Sequence, residues 1–267
     1  MSGLISRLLV GAVGAPLVLG MLWLGGWWLY ALLAVASLVA VHEFVTMTRP
    51  LRPLAPAAYA GTLLALSGAR TGGLVWMLGG VLATFILAFA LNALAATRAT
   101  STVAVGATIL AATWIGFGLG HIMLLRQMHD EPRLLVFTVV LTVWAADTFA
   151  YFAGRLFGRH KLAPRLSPGK TWEGFVVGSL AGIFVSFVAL YDTRDTYLAI
   201  WQAIVLGLVV VLAAAAGDLF ESMLKRDMEV KDTGRLLGGH GGILDRVDAL
   251  LFAGIAAFYL VLGFGYT

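Results

Sequence analysis

Ionisable residues crowd into the stretch from residue 217 to 248, although the chain on either side of it is mostly apolar. Half of the 14 acidic residues of the protein lie in it, namely Asp218, Glu221, Asp227, Glu229, Asp232, Asp245 and Asp248. Charge at membrane depth is costly, so such groups usually face a bundle interior or a water-filled cavity and pair with each other or with ions. The stretch is therefore predicted to be an active site.

Within this stretch, Asp218, Glu221 and Lys225 follow each other at i, i+3 and i+7, which places them on one helical face. An exposed helix end with a Glu221 to Lys225 pair would explain Glu221 well. It explains Asp218 poorly, because Asp218 comes directly after a long apolar run. We expect a metal-binding role for Asp218, and for Glu221 either a structural role or one that supports the metal ligands.

A glycine-rich segment around His240 comes next, formed by Gly238, Gly239, Gly241 and Gly242. Glycine permits positive φ and close backbone approach, so such a loop can turn its N–H groups toward a phosphate, although many such loops are only turns. His240 fits a general base, a phosphate donor or a partner that orders the loop. The last two are favoured, because a phosphate nucleophile is already ionised.

Asp245 and Asp248 follow the glycine-rich segment and share a helix face at i, i+3. The chain has no cysteine, so any metal must be held by oxygen or imidazole. Carboxylates without thiolates suit Mg²⁺, which commonly binds one or two of them together with substrate phosphates. The pattern predicts magnesium ligands here.

A second polar loop, residues 155–174, contains the run SPGKT followed by Glu173. A hydroxyl, a turn-forming Pro-Gly pair and a cation together predict a lid over anionic groups. The same cations would also be explained as topology signals alone. The spacing of a Walker loop is absent, because neither Leu162 nor Ala163 is glycine.

Asp147 lies within an apolar run, about three helical turns after Leu134. An unpaired acid there would cost several kcal/mol or take up a proton. A structural Asp in a polar helix contact and a functional Asp are both open interpretations. The acidic residues on later segments favour a metal ligand or a residue that supports one.

Composition predicts the class of protein that must position these residues. The chain has 267 residues, of which 60% are hydrophobic and 12% charged, and its mean hydropathy is +0.93. These values lie outside the range of soluble domains and predict an all-α polytopic membrane protein. Net charge +4 is explained by topology rather than by nucleic-acid binding.

Nine spans of suitable length and hydropathy are predicted. They cover residues 4–24, 27–45, 54–67, 74–96, 103–125, 134–156, 175–191, 200–224 and 247–264. The first is expected to be a retained helix rather than a cleaved signal peptide, and the third is short enough to be re-entrant.

The 18 Lys and Arg residues split 14 to 4 between the two sides of this topology. The bias predicts a cytoplasmic N-terminus, an outside C-terminus, and both polar loops on the cytoplasmic side. Acidic residues are also uneven, because none lies between Glu43 and Asp130. We therefore expect one membrane domain, residues 1–267, with scaffold helices in 1–130 and the chemistry in 131–267.

Two groups of residues carry a more specific pattern. The first comprises Ser222, Lys225, Arg226, Lys231, Asp232, Gly234, Leu237 to Gly242, and Asp245 to Asp248. The second comprises Asp147-Thr148, Ala150-Tyr151, Gly154-Arg155, Phe157-Gly158, Lys161-Leu162, Pro164, Ser167-Pro168, Lys170-Thr171 and Glu173-Gly174. With its fixed spacing over about 27 residues, the first group resembles the signature of the phosphatidate cytidylyltransferases, or CDP-diacylglycerol synthases.

The resemblance implies a multi-pass enzyme of a bacterial-type inner membrane, with its active site facing the cytoplasm. It would transfer the cytidylyl group of CTP to phosphatidic acid, releasing pyrophosphate. It implies Mg²⁺, a second monovalent cation such as K⁺ as an open alternative, and a homodimer, with the lipid bilayer as the other partner.

Residue roles follow from the chemistry of the residues discussed above together with the resemblance. The catalytic set is Lys225, Arg226, Lys231, Asp232, His240 and Arg246. The substrate-binding set is Ser167, Lys170, Thr171, Glu173, Ser222, Gly238, Gly239, Gly241 and Gly242. The metal set is Asp147, Asp218, Asp245 and Asp248.

Two other functions fit the pattern less well. A cation-coupled transporter of an anionic solute also uses midplane acids and basic gates, but the sequence shows no inverted repeat to support it. A membrane scaffold without turnover would leave the clustered carboxylates unexplained.

Overall fold

The computed structural model describes residues 3–94, 101–234 and 241–266, which are almost entirely helical. The α-helices are α1 (Gly3–Leu24), α2 (Gly26–Met47), α3 (Ala55–Leu94), α4 (Ser101–Ala111), α5 (Phe117–Leu125), α6 (Pro132–Phe157), α7 (Trp172–Leu190), α8 (Ile200–Asp227) and α9 (Leu244–Gly263). A π-helical turn, Ala112–Gly116, joins α4 to α5, and 3-10 turns cover Arg49–Leu51 and Tyr191–Thr193. The predicted helical class is confirmed.

Large apolar side chains are exposed along these helices. On α3 alone, Val75 is 76% exposed, Ile86 69% and Phe89 71%. Such extensive apolar exposure on consecutive turns is unfavourable in water and is expected where side chains face lipid. Each helix also forms its backbone hydrogen bonds internally, as a bilayer requires. The exposed surface therefore supports the predicted membrane location.

Within the described ranges, seven helices are long and apolar enough to cross a membrane. The seven count α3 once, although it is 40 residues long, and leave out the shorter apolar helix Ala12–Leu24. Dividing α3 and counting α1 would give nine. The count of nine spans, the cytoplasmic N-terminus and the outside C-terminus stay predictions.

Helix α3 is divided by Gly73, whose φ of 69° and ψ of −154° are not helical. Glycine adopts this region without the steric cost that a side chain would bring. A Cβ added to Gly68 would overlap the Trp76 carbonyl, and one added to Gly80 would overlap the backbone of Ala65. The two halves of α3 are therefore packed side by side in opposite directions, at the place where the third and fourth spans are predicted.

Helices α6 and α7 meet along a seam of small residues. A Cβ added to Gly174, Gly178 or Gly182 would lie 2.5 to 3.2 Å from a backbone oxygen or side chain of a neighbouring helix. The oxygens belong to Ala150, Ala146 and Thr142 on α6. In lipid, helices associate through this kind of close van der Waals contact rather than through the hydrophobic effect. The glycines thus allow α6 and α7 to pack tightly.

The departure from the all-helical prediction is a short hairpin between α6 and α7. Strands β1 (Lys161–Ala163) and β2 (Ser167–Thr171) pair in antiparallel fashion, with Lys161 opposite Thr171 and Ala163 opposite Ser167. The hairpin ends where the Thr171 hydroxyl accepts a hydrogen bond from the Gly174 N–H at 3.2 Å and so caps α7. The turn-forming Pro-Gly pair had indicated a loop here, and the structure forms an extended strand.

The chain divides into two compact units. One contains residues 1–124 and 227–247, and the other contains residues 125–226 and 248–267. Their first boundary lies close to the predicted division at residue 130, but residues 227–247 belong with the N-terminal helices. The prediction of one membrane domain with a scaffold half and a catalytic half stays a prediction.

Candidate active site

Three carboxylates come together where α8 and α9 meet. A Cβ added to Gly217 would lie 2.6 Å from the Asp248 carbonyl oxygen, so the two helices are in close backbone contact there. Asp248, which is 7% exposed, lies in hydrogen-bonding range of Glu221 and close enough to Asp218 for electrostatic repulsion. The helical spacing predicted from the sequence thus places Asp218 and Glu221 beside Asp248.

Two lysines pair with two of these three carboxylates. Lys170 Nζ on β2 lies 2.7 Å from Asp218 Oδ2, and Lys225 Nζ lies 2.6 Å from Glu221 Oε2, one turn away on α8. Glu221 is 1% exposed, whereas Asp218 and Lys170 are 34% and 24% exposed. We call Asp218, Glu221, Asp248, Lys170 and Lys225 the lysine-paired cluster. Its buried Glu221 to Lys225 pair supports the predicted structural role of Glu221.

Side-chain contacts anchor the hairpin that carries Lys170. Arg226 Nε donates to the Leu166 carbonyl at 3.1 Å, near the hairpin tip. At the base, His160 Nδ1 lies 2.7 Å from Glu173 Oε1. Arg226 and Glu173 were predicted to contact substrate, and in the structure both hold the hairpin against α8 and α7. Lys170 is therefore presented to Asp218 by a fixed element.

A second group of carboxylates lies in the other unit, at the start of α9. Asp245 Oδ2 accepts hydrogen bonds from the Thr233 N–H at 3.1 Å, the Thr233 hydroxyl at 2.9 Å and the Gly242 N–H at 2.7 Å. Gly241 precedes this contact with a φ of 76°. Asp245 therefore ties Thr233 to the start of α9, and the Gly242 N–H serves this contact.

Glu43 on α2 completes this second group. Its Oε1 accepts from the Ile243 N–H at 3.1 Å, and its Oε2 accepts from the Leu244 N–H at 2.8 Å. These N–H groups belong to the start of α9, where a carboxylate is favoured by the helix dipole. We call Glu43 and Asp245, with their donors in Thr233 and residues 242–244, the amide-held cluster.

Glu43 is not among the predicted site residues. A signal was present, because Glu43 is the one acidic residue among the first 129 and lies within a predicted span. An acid in such a position is a functional hypothesis by default. Its partners are backbone N–H groups 200 residues later in the chain, so no side-chain motif points to it.

The other predicted residues take different places. Lys231, Asp232 and Arg246 are exposed, and so is Asp147 on α6. Ser167 is partly buried in β2, and Ser222 is 8% exposed beside Asp218, with its hydroxyl 3.5 Å from Asp218 Oδ1. Three of the predicted site residues lie outside the described residues: Gly238, Gly239 and His240.

The donor chemistry of the lysine-paired cluster fits Mg²⁺. Over the described part of the chain, no group of three or more His, Asp or Glu side chains is gathered as a metal site. Mg²⁺ commonly takes only one or two protein carboxylates and completes its shell with phosphate oxygens and waters. Asp218 and Asp248 supply two such carboxylates. Metal binding by Asp147, Asp218, Asp245 and Asp248 stays a prediction.

Comparison with known proteins places the chain in a family. The model of the cytidylyltransferase family matches residues 5–264. A phosphatidate cytidylyltransferase of Mycobacterium bovis is 34% identical over 247 residues, which cover 86% of this chain and 79% of that protein.

Two further relatives match over a shorter range. A phosphatidate cytidylyltransferase of Haemophilus influenzae is 44% identical over 141 residues, 51% of this chain and 49% of that protein. One of Staphylococcus saprophyticus is 40% identical over 144 residues, 54% of each chain. The chain thus spans about half the length of these two relatives. Since the family model covers nearly all of it, the chain belongs to the cytidylyltransferase family, which is a family of nucleotidyltransferases.

Proposed function

We propose that the protein transfers the cytidylyl group of CTP to phosphatidic acid and so makes CDP-diacylglycerol. The observation that carries the proposal is the lysine-paired cluster, in which carboxylates of α8 and α9 lie beside lysines of β2 and α8. The cluster belongs to a chain of the cytidylyltransferase family. The named activity of the relatives supports the same substrates. A transporter would need neither this family nor this pairing.

In the proposed reaction, a phosphate oxygen of the lipid attacks the α-phosphorus of CTP. A new P–O bond forms, the bond between the α-phosphorus and the bridging oxygen breaks, and pyrophosphate leaves with the electron pair. The attacking phosphate is already ionised, so no base must remove a proton. Such transfers depend mainly on positioning and on neutralising charge.

The chain supplies positive charge at the lysine-paired cluster. Lys170 and Lys225 each have an ammonium group within 2.7 Å of a carboxylate, and either could exchange that partner for a phosphate oxygen. Lys170 is the better candidate, because its pair is partly exposed while Glu221 is 1% exposed. We assign Lys170 to the triphosphate and Lys225 to holding Glu221.

Asp218 and Asp248 would hold Mg²⁺, which would supply positive charge to offset the charge that develops on the phosphates. Asp218 would orient toward the nucleotide once Lys170 turns to a phosphate. Ser222, with its hydroxyl 3.5 Å from Asp218 Oδ1, would then keep that carboxylate in place. A monovalent cation such as K⁺ remains part of the proposal only through the family resemblance.

The proposal also places the reaction at the cytoplasmic face of a bacterial inner membrane. Its support is the 14 to 4 split of Lys and Arg, which predicts that loops 155–174 and 225–246 share the cytoplasmic side. CTP is available there, and phosphatidic acid lies in the adjoining leaflet. A homodimer belongs to the same proposal and rests on the family alone.

One assay tests the reaction. Purified protein in detergent is incubated with labelled CTP, phosphatidic acid and Mg²⁺, and CDP-lipid is separated from CTP. We expect labelled CDP-diacylglycerol and an equal amount of pyrophosphate, both dependent on lipid and metal. Folded protein that produces neither would overturn the proposal, and diacylglycerol in place of phosphatidic acid serves as the control without a nucleophilic phosphate.

A further inference from the structure

We propose that Glu43 is a positioning residue for the reaction, which holds the start of α9 and Gly242 just before it. The inference rests on the proposed function for its catalytic consequence. The motif resemblance does not include Glu43, which belongs to α2, far from the signature in sequence. Its contacts in the amide-held cluster carry the inference.

The carboxylate of Glu43 is committed to backbone donors. It is 5% exposed, and each oxygen accepts one N–H bond, at 3.1 Å from Ile243 and 2.8 Å from Leu244. Hydrogen bonds to an ionised acceptor are about twice as strong as neutral ones. Because both donors stand at the first residues of α9, Glu43 sets where that helix begins.

Two glycines admit this carboxylate. A Cβ added to Gly234 or to Gly242 would overlap the Glu43 carboxylate. Any larger residue at either position would therefore push Glu43 away from the N–H groups of Ile243 and Leu244. Gly234 and Gly242 both belong to the family-like pattern, and close approach of Glu43 is a physical reason for glycine at these positions.

Asp245 links Glu43 to the predicted chemistry. It follows directly after Leu244, and its Oδ2 is tied to Gly242 at 2.7 Å and to the Thr233 hydroxyl at 2.9 Å. Moving the first turn of α9 would therefore move Asp245 and every donor bound to it. Misplacement of a reacting group by about 1 Å can cost about 100-fold in rate.

A cavity lies next to the Glu43 side chain. It has a volume of about 460 Å³ and is lined by Leu38, Val39, His42, Glu43, Thr46, Thr233 and Gly234. It is wide enough for a small anion such as acetate or formate to reach the backbone donors if the Glu43 side chain is shortened. This cavity makes chemical rescue a practical test of what the carboxylate does.

The test compares Glu43→Gln, Glu43→Asp and Glu43→Ala with a control on the same helix, Ser37→Ala. Ser37 is also fully buried and polar, but its hydroxyl donates within α2, to the Ala34 carbonyl at 2.9 Å. Glutamine has nearly the same size as glutamate, but it offers one acceptor oxygen and one NH₂ group to the N–H groups of Ile243 and Leu244. One of the two hydrogen bonds is therefore lost. Aspartate keeps the charge but withdraws it by about 1.5 Å, one carbon–carbon bond.

We expect Glu43→Gln to lower kcat by about 10- to 100-fold, the range seen for residues that orient a ligand, with the KM for CTP nearly unchanged. Glu43→Asp should retain more activity than Glu43→Gln. Acetate or formate should restore part of the activity of Glu43→Ala and leave wild-type and Ser37→Ala unaffected. Wild-type kcat in Glu43→Gln, or a loss matched by loss of folded protein with no rescue, would overturn the inference.

Hydrogen exchange separates this inference from the proposed activity. At least one of the Ile243 and Leu244 amides should exchange about tenfold faster in Glu43→Gln than in wild type, since one lost bond of about 1.4 kcal/mol gives that ratio. Ser37→Ala should leave both rates unchanged. If wild type made no CDP-lipid but these amides lost protection, the reaction would fail while the positioning role of Glu43 stood. Unchanged protection would overturn the role whatever the activity.

Discussion

Asp218 and Glu221 in the lysine-paired cluster are neutralised by lysine side chains, at 2.7 and 2.6 Å. Glu43 and Asp245 in the amide-held cluster are instead satisfied by backbone N–H groups of Thr233 and residues 242–244, with one threonine hydroxyl in addition. Both groups therefore keep carboxylates inside an apolar protein, but with opposite kinds of partner. A flexible cation can leave, whereas a backbone donor in a folded turn cannot.

The difference predicts separate roles. A carboxylate whose partner is a lysine side chain can exchange that partner for a metal ion while the lysine moves to a phosphate. A carboxylate fixed by two or three backbone donors is better suited to holding a shape. We therefore expect variants of the lysine-paired cluster to change the metal dependence of the reaction. Variants of the amide-held cluster should change the rate but not the metal dependence, in contrast to the metal role that the sequence predicts for Asp245.

The largest effect is expected for Asp218→Asn. Removing this charge should lower CDP-lipid formation by more than about 100-fold, beyond the range typical of residues that only orient a metal ligand. Asp195→Asn is the matched control, because Asp195 is 81% exposed and pairs only with its neighbour Arg194 among the ion pairs of the described residues. Equal activity of Asp218→Asn and Asp195→Asn would remove Asp218 from the metal site.

Lys170→Met should have an intermediate effect on the rate, and it should also change the Mg²⁺ requirement. The rate at saturating Mg²⁺ should fall about tenfold, the scale of one lost charge-assisted bond to phosphate. The Mg²⁺ concentration for half-maximal rate should also fall, because Lys170 Nζ no longer competes for Asp218 Oδ2 at 2.7 Å. Metal titrations of both proteins measure this.

Arg165→Met is the control for that experiment, since Arg165 is exposed in the same hairpin. It should leave the rate and the metal requirement unchanged. A higher Mg²⁺ requirement in Lys170→Met would contradict competition between Lys170 and the metal for Asp218. It would also remove the main reason for assigning different roles to the two clusters.

Thr233→Val should have the smallest effect. It removes the 2.9 Å hydroxyl bond to Asp245 Oδ2 but leaves the N–H bonds of Thr233 and Gly242. One neutral hydrogen bond contributes about 1 kcal/mol, so we expect a few-fold lower kcat, a slightly lower melting temperature and an unchanged Mg²⁺ requirement. Thr233→Ser keeps the hydroxyl and should restore wild-type behaviour. A shifted metal requirement in Thr233→Val would assign the amide-held cluster to metal binding.

Much of the fold follows from hydropathy, because a span needs an apolar run of fixed length. The predicted spans 134–156 and 200–224 fall within α6 (Pro132–Phe157) and α8 (Ile200–Asp227). The strand pairing at 161–171 was missed, since SPGKT has no period-two apolar pattern and its proline and glycine favour turns. Hydropathy also predicts the spans 54–67 and 74–96, which correspond to the two halves of α3 on either side of Gly73.

The site was predictable where its contacts are local. Asp218, Glu221 and Lys225 lie on one face because α8 is a helix, and the Glu221 to Lys225 pair follows from i, i+4 spacing. Asp248 joins them through close contact at Gly217, which no spacing rule contains. Glu43 was missed for a related reason, because backbone donors leave no side-chain pattern in a sequence.

The glycine seam between α6 and α7 fixes the two ends of the β1–β2 hairpin, because the hairpin connects these two tightly packed helices. Strand β1 begins at Lys161, soon after α6 ends at Phe157, and β2 passes directly into α7 at Trp172. A side chain placed at Gly178 would push α6 and α7 apart. The resulting change in the angle between the two helices would displace the hairpin most at its tip, near Leu166. The packing of α6 against α7 thus helps to set the distance between Lys170 Nζ and Asp218 Oδ2.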